Sequence, residues 1–429
     1  ICDAHARRLE RMFKQARSEE GSLRDVSLRR VWAAAQKEVS MFASLAFVFL
    51  FGLAGAAVFE KMKLPRIIGM LLVGILIGPY ALGLLDPTIL SISGDLRKLA
   101  LMLILLRAGL SLDLGDLKRV GRSAVMMAFV PATFEVLAVV LFAPGILGIT
   151  RVEAAVMGAV LGAVSPAVVV PRMVRLMEEG RGTKQGIPQM IMAGASCDDV
   201  YVIVLFSTFT RMAQGGGARL ADFAAVPVSI VLGALVGAVS GFLLNRLFER
   251  GKIADTMRII LTLAVGCLLI ALEGWLEGTV ALSGLLGVMG MAVMLRRCGD
   301  VKAVSAGIGK LWQAAEVLLF VLVGAAVDIR YTLEAGAGAV LLIALALAIR
   351  SIGVALCVAG TRLTKKERLF CVIAYLPKAT VQAAIGAAPL AMGLSCGKLV
   401  LSVAVLAILI TAPLGAIGMD ATSEKLLQK

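Results

Sequence analysis

Met192-Ala-Gly-Ala-Ser-Cys-Asp-Asp-Val-Tyr-Val-Ile-Val-Leu-Phe206 decides how this chain is read. Two adjacent carboxylates, Asp198 and Asp199, sit near the middle of an apolar run from about 187 to 209. A run of that length is membrane-spanning in character, because roughly 20 apolar residues cross the hydrocarbon core. An ionisable group at bilayer depth costs a few kcal/mol, and two side by side repel each other. Such a pair persists where it faces a wet cavity or takes a cation. As a plain structural contact, two like charges in succession are a poor choice. The stretch reads as an ion site in a transport protein.

Composition extends that reading to the whole chain. Of 429 residues 59% are apolar and only 17% charged, and the mean hydropathy is +0.93. The 45 Gly and 19 Met suit close helix packing in lipid. The class is an all-α polytopic membrane protein, with apolar segments too closely spaced to leave room for a soluble domain. A net charge of +14 in a soluble protein would suggest nucleic acid. Here the basic residues cluster in short loops, and nucleic acid is not expected. The seven Cys are scattered without a CxxC pair and the only His is His5. That argues against a zinc site, a disulfide framework or His-based catalysis. No Walker A sequence and no nucleophile–base pair is present, so neither a nucleotide, a cofactor nor an enzymatic activity is expected.

From Met41 onward there are thirteen apolar runs, at about 41–59, 64–83, 98–112, 123–143, 154–171, 187–210, 223–245, 256–272, 279–295, 312–327, 336–360, 369–392 and 399–418. Lys and Arg number 20 in the odd-numbered connections and 6 in the even-numbered ones. The positive-inside rule then puts the odd loops and the short tail at 420–429 in the cytoplasm, and the N-terminus outside. The first 40 residues form a polar tail with nine Lys or Arg, which runs against that rule, though long tails obey it poorly. Within the tail, 23–39 has the pattern of an amphipathic helix on a membrane surface. Residue 1 is Ile rather than Met, as expected of a sequence that starts inside a longer one.

The fifth run carries Pro166 and Pro171, and the twelfth carries Pro377 beside Lys378, Thr380 and Gln382. A proline inside a helix removes a backbone donor and frees a carbonyl. At membrane depth those freed groups must line a cavity or meet another buried group. One such helix is ordinarily a simple kink; two of them seven runs apart say more. Repeats at about 41–212 and 256–418, joined by a linker helix at 223–245, would be inverted in the membrane, with broken helices meeting at the midplane. The fourth and eleventh runs, again seven apart, each carry one charge near mid-run, Glu135 and Arg350. Either alone is costly there, so the two are expected to pair in the bundle. Glu316 lies nearer the start of its run and is expected at the membrane interface.

At this point the chain resembles the monovalent cation:proton antiporter superfamily, and within it the sodium/proton antiporter subfamily B branch. The resemblance covers about 47–419. It rests on Leu64-Pro-Arg-Ile-Ile-Gly-Met-Leu-Leu-Val-Gly-Ile-Leu-Ile-Gly-Pro79, Leu106-Arg-Ala-Gly-Leu-Ser-Leu-Asp113, Ala163-Val-Ser-Pro-Ala-Val-Val-Val-Pro171, Ala195-Ser-Cys-Asp-Asp199, Leu319-Phe-Val-Leu-Val-Gly-Ala-Ala-Val-Asp328 and Leu376-Pro-Lys-Ala-Thr-Val-Gln382. It implies two crossed broken helices flanking an aspartate in a mobile core, with a second domain forming a homodimer. By that resemblance Asp199 is the cation-binding aspartate, Asp198 its polar partner, and Glu135 with Arg350 the buried acid–base pair of subfamily B. Many bacterial relatives have a lysine, salt-bridged to the first aspartate, where Arg350 stands. Cys197 departs from the small or polar residue more usual before the aspartates.

The expected activity is exchange of Na⁺ or Li⁺ for H⁺ by alternating access at a midplane aspartate, in the plasma membrane. A buried carboxylate holds either a proton or a dehydrated cation with hard oxygen ligands, not both. Further ligands would come from Ser165, from carbonyls freed around Val164 and Pro166, and from water. A guanidinium does not lose its proton in proteins, so Asp198 lacks a titrating basic partner and electroneutral exchange is expected. Two other readings stay open: a K⁺/H⁺ exchanger or K⁺ efflux system of the same fold, and a sodium-coupled organic-anion symporter. The latter would be expected to use neutral oxygens rather than paired aspartates.

Overall fold

A computed structural model describes residues 40–111, 121–215, 220–251, 253–276, 282–334 and 336–428, and within these there is helix but no strand. The surface helix expected at 23–39 lies outside the described residues. In chain order the helices are α1 (Met41–Lys61), α2 (Arg66–Ile77), α3 (Pro87–Ser91), α4 (Ser93–Ser111), α5 (Arg122–Leu147), α6 (Arg151–Leu161) and α7 (Pro166–Glu178). They continue with α8 (Ile187–Ala213), α9 (Leu220–Arg250), α10 (Asp255–Trp275), α11 (Gly284–Cys298) and α12 (Lys302–Ala325). The last are α13 (Ile329–Glu334), α14 (Gly336–Cys357), α15 (Lys365–Ala374), α16 (Thr380–Ile385), α17 (Ala388–Ala391) and α18 (Gly397–Leu426). Among the described residues nine helical stretches, α6 and α7 taken together, are long and apolar enough to cross a membrane. Each of the thirteen runs falls on helix, but α2, α4, α11 and the twelfth run do not meet that length and polarity, so thirteen crossings are not established.

α18 runs on to Leu426, past the expected end of its run at 418. Two acids on its final turns have partners on the fifth connection: Asp420 pairs with Arg172 at 3.1 Å and Glu424 with Arg181 at 3.0 Å. Glu179 in that connection is held below its ordinary carboxylate range by Arg175 first and then by Arg181.

The helices sort into two packed groups. α5, α6, α7, α8, α14, α15, α16 and α18 pack on one another, as do α1, α2, α4, α9, α10, α11 and α12. They meet where α8 touches α9, where α16 touches α4 and α12, and where α18 touches α2. Glycines set the tightest approach within the second group. A Cβ on Gly74 of α2 would stand 2.1 Å from the Val321 carbonyl, and one on Gly324 of α12 would stand 2.2 Å from the Leu71 carbonyl.

The two interrupted helices place the site. Both start with a capping box, Thr150 with Glu153 on α6 and Thr364 with Glu367 on α15. α6 stops at Leu161 because Pro166 cannot donate to the Gly162 carbonyl. Ser165 before it takes the extended backbone that a following proline favours (φ −88°, ψ 111°). Pro166 becomes the first residue of α7, while Pro171 sits inside α7 without breaking it. In the twelfth run Pro377 does the same, leaving Tyr375–Ala379 non-helical between α15 and α16. The two breaks touch: the Ser165 amide donates to the Pro377 carbonyl at 2.8 Å.

Candidate functional site

Interruption leaves carbonyls without helical donors, and most of them find side chains. Gln382 on α16 donates to the carbonyls of Leu161 (3.2 Å) and Ala163 (2.9 Å). Lys378 donates to the Leu161 carbonyl at 2.7 Å. Arg350, from α14, donates to the Gly162 carbonyl and, at 3.0 Å, to that of Tyr375 in the other break. One guanidinium thus ties both breaks together. The Lys378 amide is itself anchored on the Thr411 hydroxyl at 2.9 Å. Ser165 and Thr380 bring their hydroxyls to 3.5 Å.

The same cations hold the acids. Arg350 pairs with Glu135 of α5 at 2.6 Å and with Asp198 of α8 at 3.0 Å, and Lys378 also pairs with Glu135. Asp198 accepts a further bond from the Val164 amide at 2.9 Å. All four ionisable groups are buried, and two cations facing two carboxylates leave the cluster formally neutral. The expected Glu135–Arg350 pair is present, but it is half of a larger cluster. Asp198 has a basic partner in Arg350, which the expectation of a closed Glu135–Arg350 pair did not provide.

Asp199 is treated differently. Its neighbour has Arg350 and the Val164 amide on Oδ2, yet Asp199 makes no hydrogen bond or ion pair with any described residue, and its Oδ1 is a buried, unpartnered oxygen. It lines a cavity of about 470 Å³ together with Pro166, Val170, Arg66 and Glu316. The cavity runs between the two helix groups, past Glu60 and Arg172, at the end of the bundle where the Lys- and Arg-rich first and fifth connections lie. Three other buried side-chain oxygens nearby are unpartnered: Asp198 Oδ1, Gln382 Oε1 and the Tyr375 hydroxyl. Orphaned buried acceptors at this density mark a place for water or a cation.

Glu316, expected at the membrane interface, is 3% exposed and paired with Arg66 at the first turn of α2. That partner lies 250 residues away in sequence, which hydropathy along one run cannot reveal. Tyr375 was also missed: its ring lies 5.5 Å from the Arg350 guanidinium carbon, and a Cβ on Gly194 of α8 would collide with its hydroxyl at 2.1 Å. Its place immediately before Leu-Pro-Lys was the available signal.

Helices long and apolar enough to cross a membrane, with two of the chain's helices interrupted and meeting beside a buried carboxylate that has no partner among the described residues, describe a membrane protein with a candidate ion site. The profile of the family described as "Sodium/hydrogen exchanger, transmembrane" matches residues 45–423. The chain belongs to the sodium/hydrogen exchanger family, on its subfamily B branch, and is an integral membrane protein. It is 33% identical over 414 residues to sodium/hydrogen exchanger 9B2 of Xenopus tropicalis, covering 91% of this chain and 75% of that protein. It is 34% identical over 353 residues to human sodium/hydrogen exchanger 9B1, covering 79% and 67%. The fold is that of the sodium proton antiporter MjNhaP1 from Methanocaldococcus jannaschii at pH 8: TM-score 0.78, 20% identity, 90% of this chain and 98% of that one.

Proposed function

We propose that this protein exchanges Na⁺ or Li⁺ for H⁺, one for one, with Asp199 as the shared ligand. The observation that carries the proposal is the contrast at Asp199: a buried carboxylate with no partner among the described residues, on the wall of a cavity, in a chain of the sodium/hydrogen exchanger family. In the protonated state Asp199 is neutral and needs no counter-charge. In the cation-bound state its charge is met by the ion. Ser165, the Val164 carbonyl, the Pro166 turn and water would complete the ligands. The carbonyls of Leu161, Gly162 and Ala163 are taken by Gln382, Lys378 and Arg350, so Val164 supplies the free carbonyl of the break.

Stoichiometry follows from the neutral cluster. Asp198 is fixed by Arg350 and the Val164 amide, and arginine does not release its proton. One titrating site then swaps one proton for one monovalent cation, and no net charge moves. Alternating access would come from the group holding Asp199 shifting against the group of α1, α2, α4 and α9–α12. The paired capping boxes and breaks of α6/α7 and α15/α16 support two repeats of about 41–212 and 256–418. We place the C-terminus in the cytoplasm and the protein, as a homodimer, in the plasma membrane. The cavity would then face the cytoplasm.

Purified protein in liposomes with a pH-sensitive dye and an imposed ΔpH tests this directly. Na⁺ and Li⁺ are expected to dissipate the gradient and K⁺ not to. Dissipation by K⁺ alone would instead make it a K⁺/H⁺ exchanger of the same fold, and no response to any of the three would end the proposal.

A further inference from the structure

Glu316 is a buried charge that the exchange site leaves unused. It sits on the wall of the Asp199 cavity contributed by the other helix group. Among the described residues three carboxylates line that cavity: Glu60 is exposed, and Asp199 and Glu316 are buried. Its partner Arg66 is placed oddly for a structural contact. As the first residue of α2 it puts a cation at the positive end of a helix dipole, which is unfavourable. Nor is the pair needed to hold α2 to α12, because Gly74 and Gly324 already bring those backbones into contact. The two partners also differ in freedom. The Arg66 side chain is 46% exposed and that of Glu316 only 4%, so Arg66 can swing into water and Glu316 cannot follow. Arg107 lines the same cavity, as does Arg172, whose charge is met by Asp420.

We propose that Glu316 is a second cation site, on the path to Asp199, and that Arg66 is the tethered cation occupying it until Na⁺ or Li⁺ displaces the side chain. The inference rests on the exchange reading above. The displacement conserves charge at Glu316: one monovalent cation leaves and one arrives. Arg66 then acts as a built-in competitor that raises the Na⁺ concentration needed to load the cavity. It does not touch the ion at Asp199, and the maximal rate is not set by it.

The test is Na⁺-dependent exchange in liposomes, with KM and maximal rate measured for wild type, Arg66→Gln, Glu316→Gln and the double variant. Removing the competitor should lower KM for Na⁺ by about three- to tenfold at a maximal rate close to wild type, the signature of altered ground-state binding. Glu316→Gln should raise KM by a similar factor, and the double variant should match Glu316→Gln alone. A structural pair would instead lose rate and thermal stability with KM unmoved. Arg66→Lys keeps the charge and should hold KM near wild type; Glu316→Asp, tested if the glutamine variant does not fold, should raise KM by less. An unchanged KM in Arg66→Gln, or a lowered KM in Glu316→Gln, overturns this inference while leaving exchange at Asp199 standing. Failure of wild type to exchange in the same vesicles overturns the exchange reading itself.

Discussion

Asp198 and Asp199 are neighbours on one turn of one helix, and their surroundings could hardly differ more. Asp198 takes Arg350 and the Val164 amide on one oxygen, within a cluster that also holds Glu135 and Lys378. Asp199 has no hydrogen bond or ion pair among the described residues and lines the cavity. Successive residues on a helix point about 100° apart, since 3.6 residues make a turn, and here that angle separates the packed crossing from the wet side. On the exchange reading proposed above, the carboxylate held by Arg350 is structural and the one without a cation is where the exchangeable ion belongs.

The sharpest way to break this comparison is to neutralise the two positions separately. Asp199→Asn should abolish exchange, a loss of about 100-fold or more in liposomes, because both ions need the charge. The same variant should melt in detergent no lower than wild type, since no partner is stranded. Sustained Na⁺/H⁺ exchange by Asp199→Asn would move the site elsewhere.

The cluster side predicts the opposite balance, with stability carrying the effect. Arg350→Gln strands Asp198 and half of the Glu135 charge and should cost about 3–5 kcal/mol. The double variant Glu135→Gln with Arg350→Gln leaves Lys378 and Asp198, still one cation and one anion, and should cost less than the single. Chemical or thermal unfolding in detergent compares them; a double variant as unstable as the single would mean the cluster does not act as a unit.

Much of this was legible in the chain, for identifiable reasons. Thirteen apolar runs, the paired prolines and the adjacent aspartates are local signals, and each acts through hydropathy or backbone chemistry within a few residues. Glu135 and Arg350 could be matched because each stood alone at mid-run and needed an opposite charge. Pairing choices among several charges could not be read. Lys378 lies next to Pro377 and gave no sign that it would share Glu135 with Arg350, and nothing in a single run links Glu316 to Arg66. Those contacts are set by how two helix groups pack, a property of the whole bundle.

A smaller effect probes the backbone of the crossing. Gln382→Leu removes the donors to the Leu161 and Ala163 carbonyls and should cost about 1–3 kcal/mol, the range for stranding buried acceptors. Lys378 still serves Leu161, so the loss should fall toward the lower end. A melting point equal to wild type would show that water replaces the amide there.

The smallest expected effect is no effect at all, and it decides what Asp198 does during transport. If the four-charge cluster stays as it stands through the cycle, Asp199 alone changes its ion, and each Na⁺ moved one way is matched by one H⁺ moved the other. The flux null point in vesicles with imposed Na⁺ and H⁺ gradients then depends on those gradients only. Setting a membrane voltage with valinomycin and K⁺ should leave it in place. If instead Lys378 released its proton when a cation arrived, or Asp198 took up a proton as Arg350 let go, a second proton would be carried per Na⁺. The null point would then shift with voltage, since one net charge per cycle is worth about 2.3 kcal/mol per 100 mV. Such a shift in wild type that vanished in a Lys378→Arg variant still able to exchange would assign the second proton to the lysine.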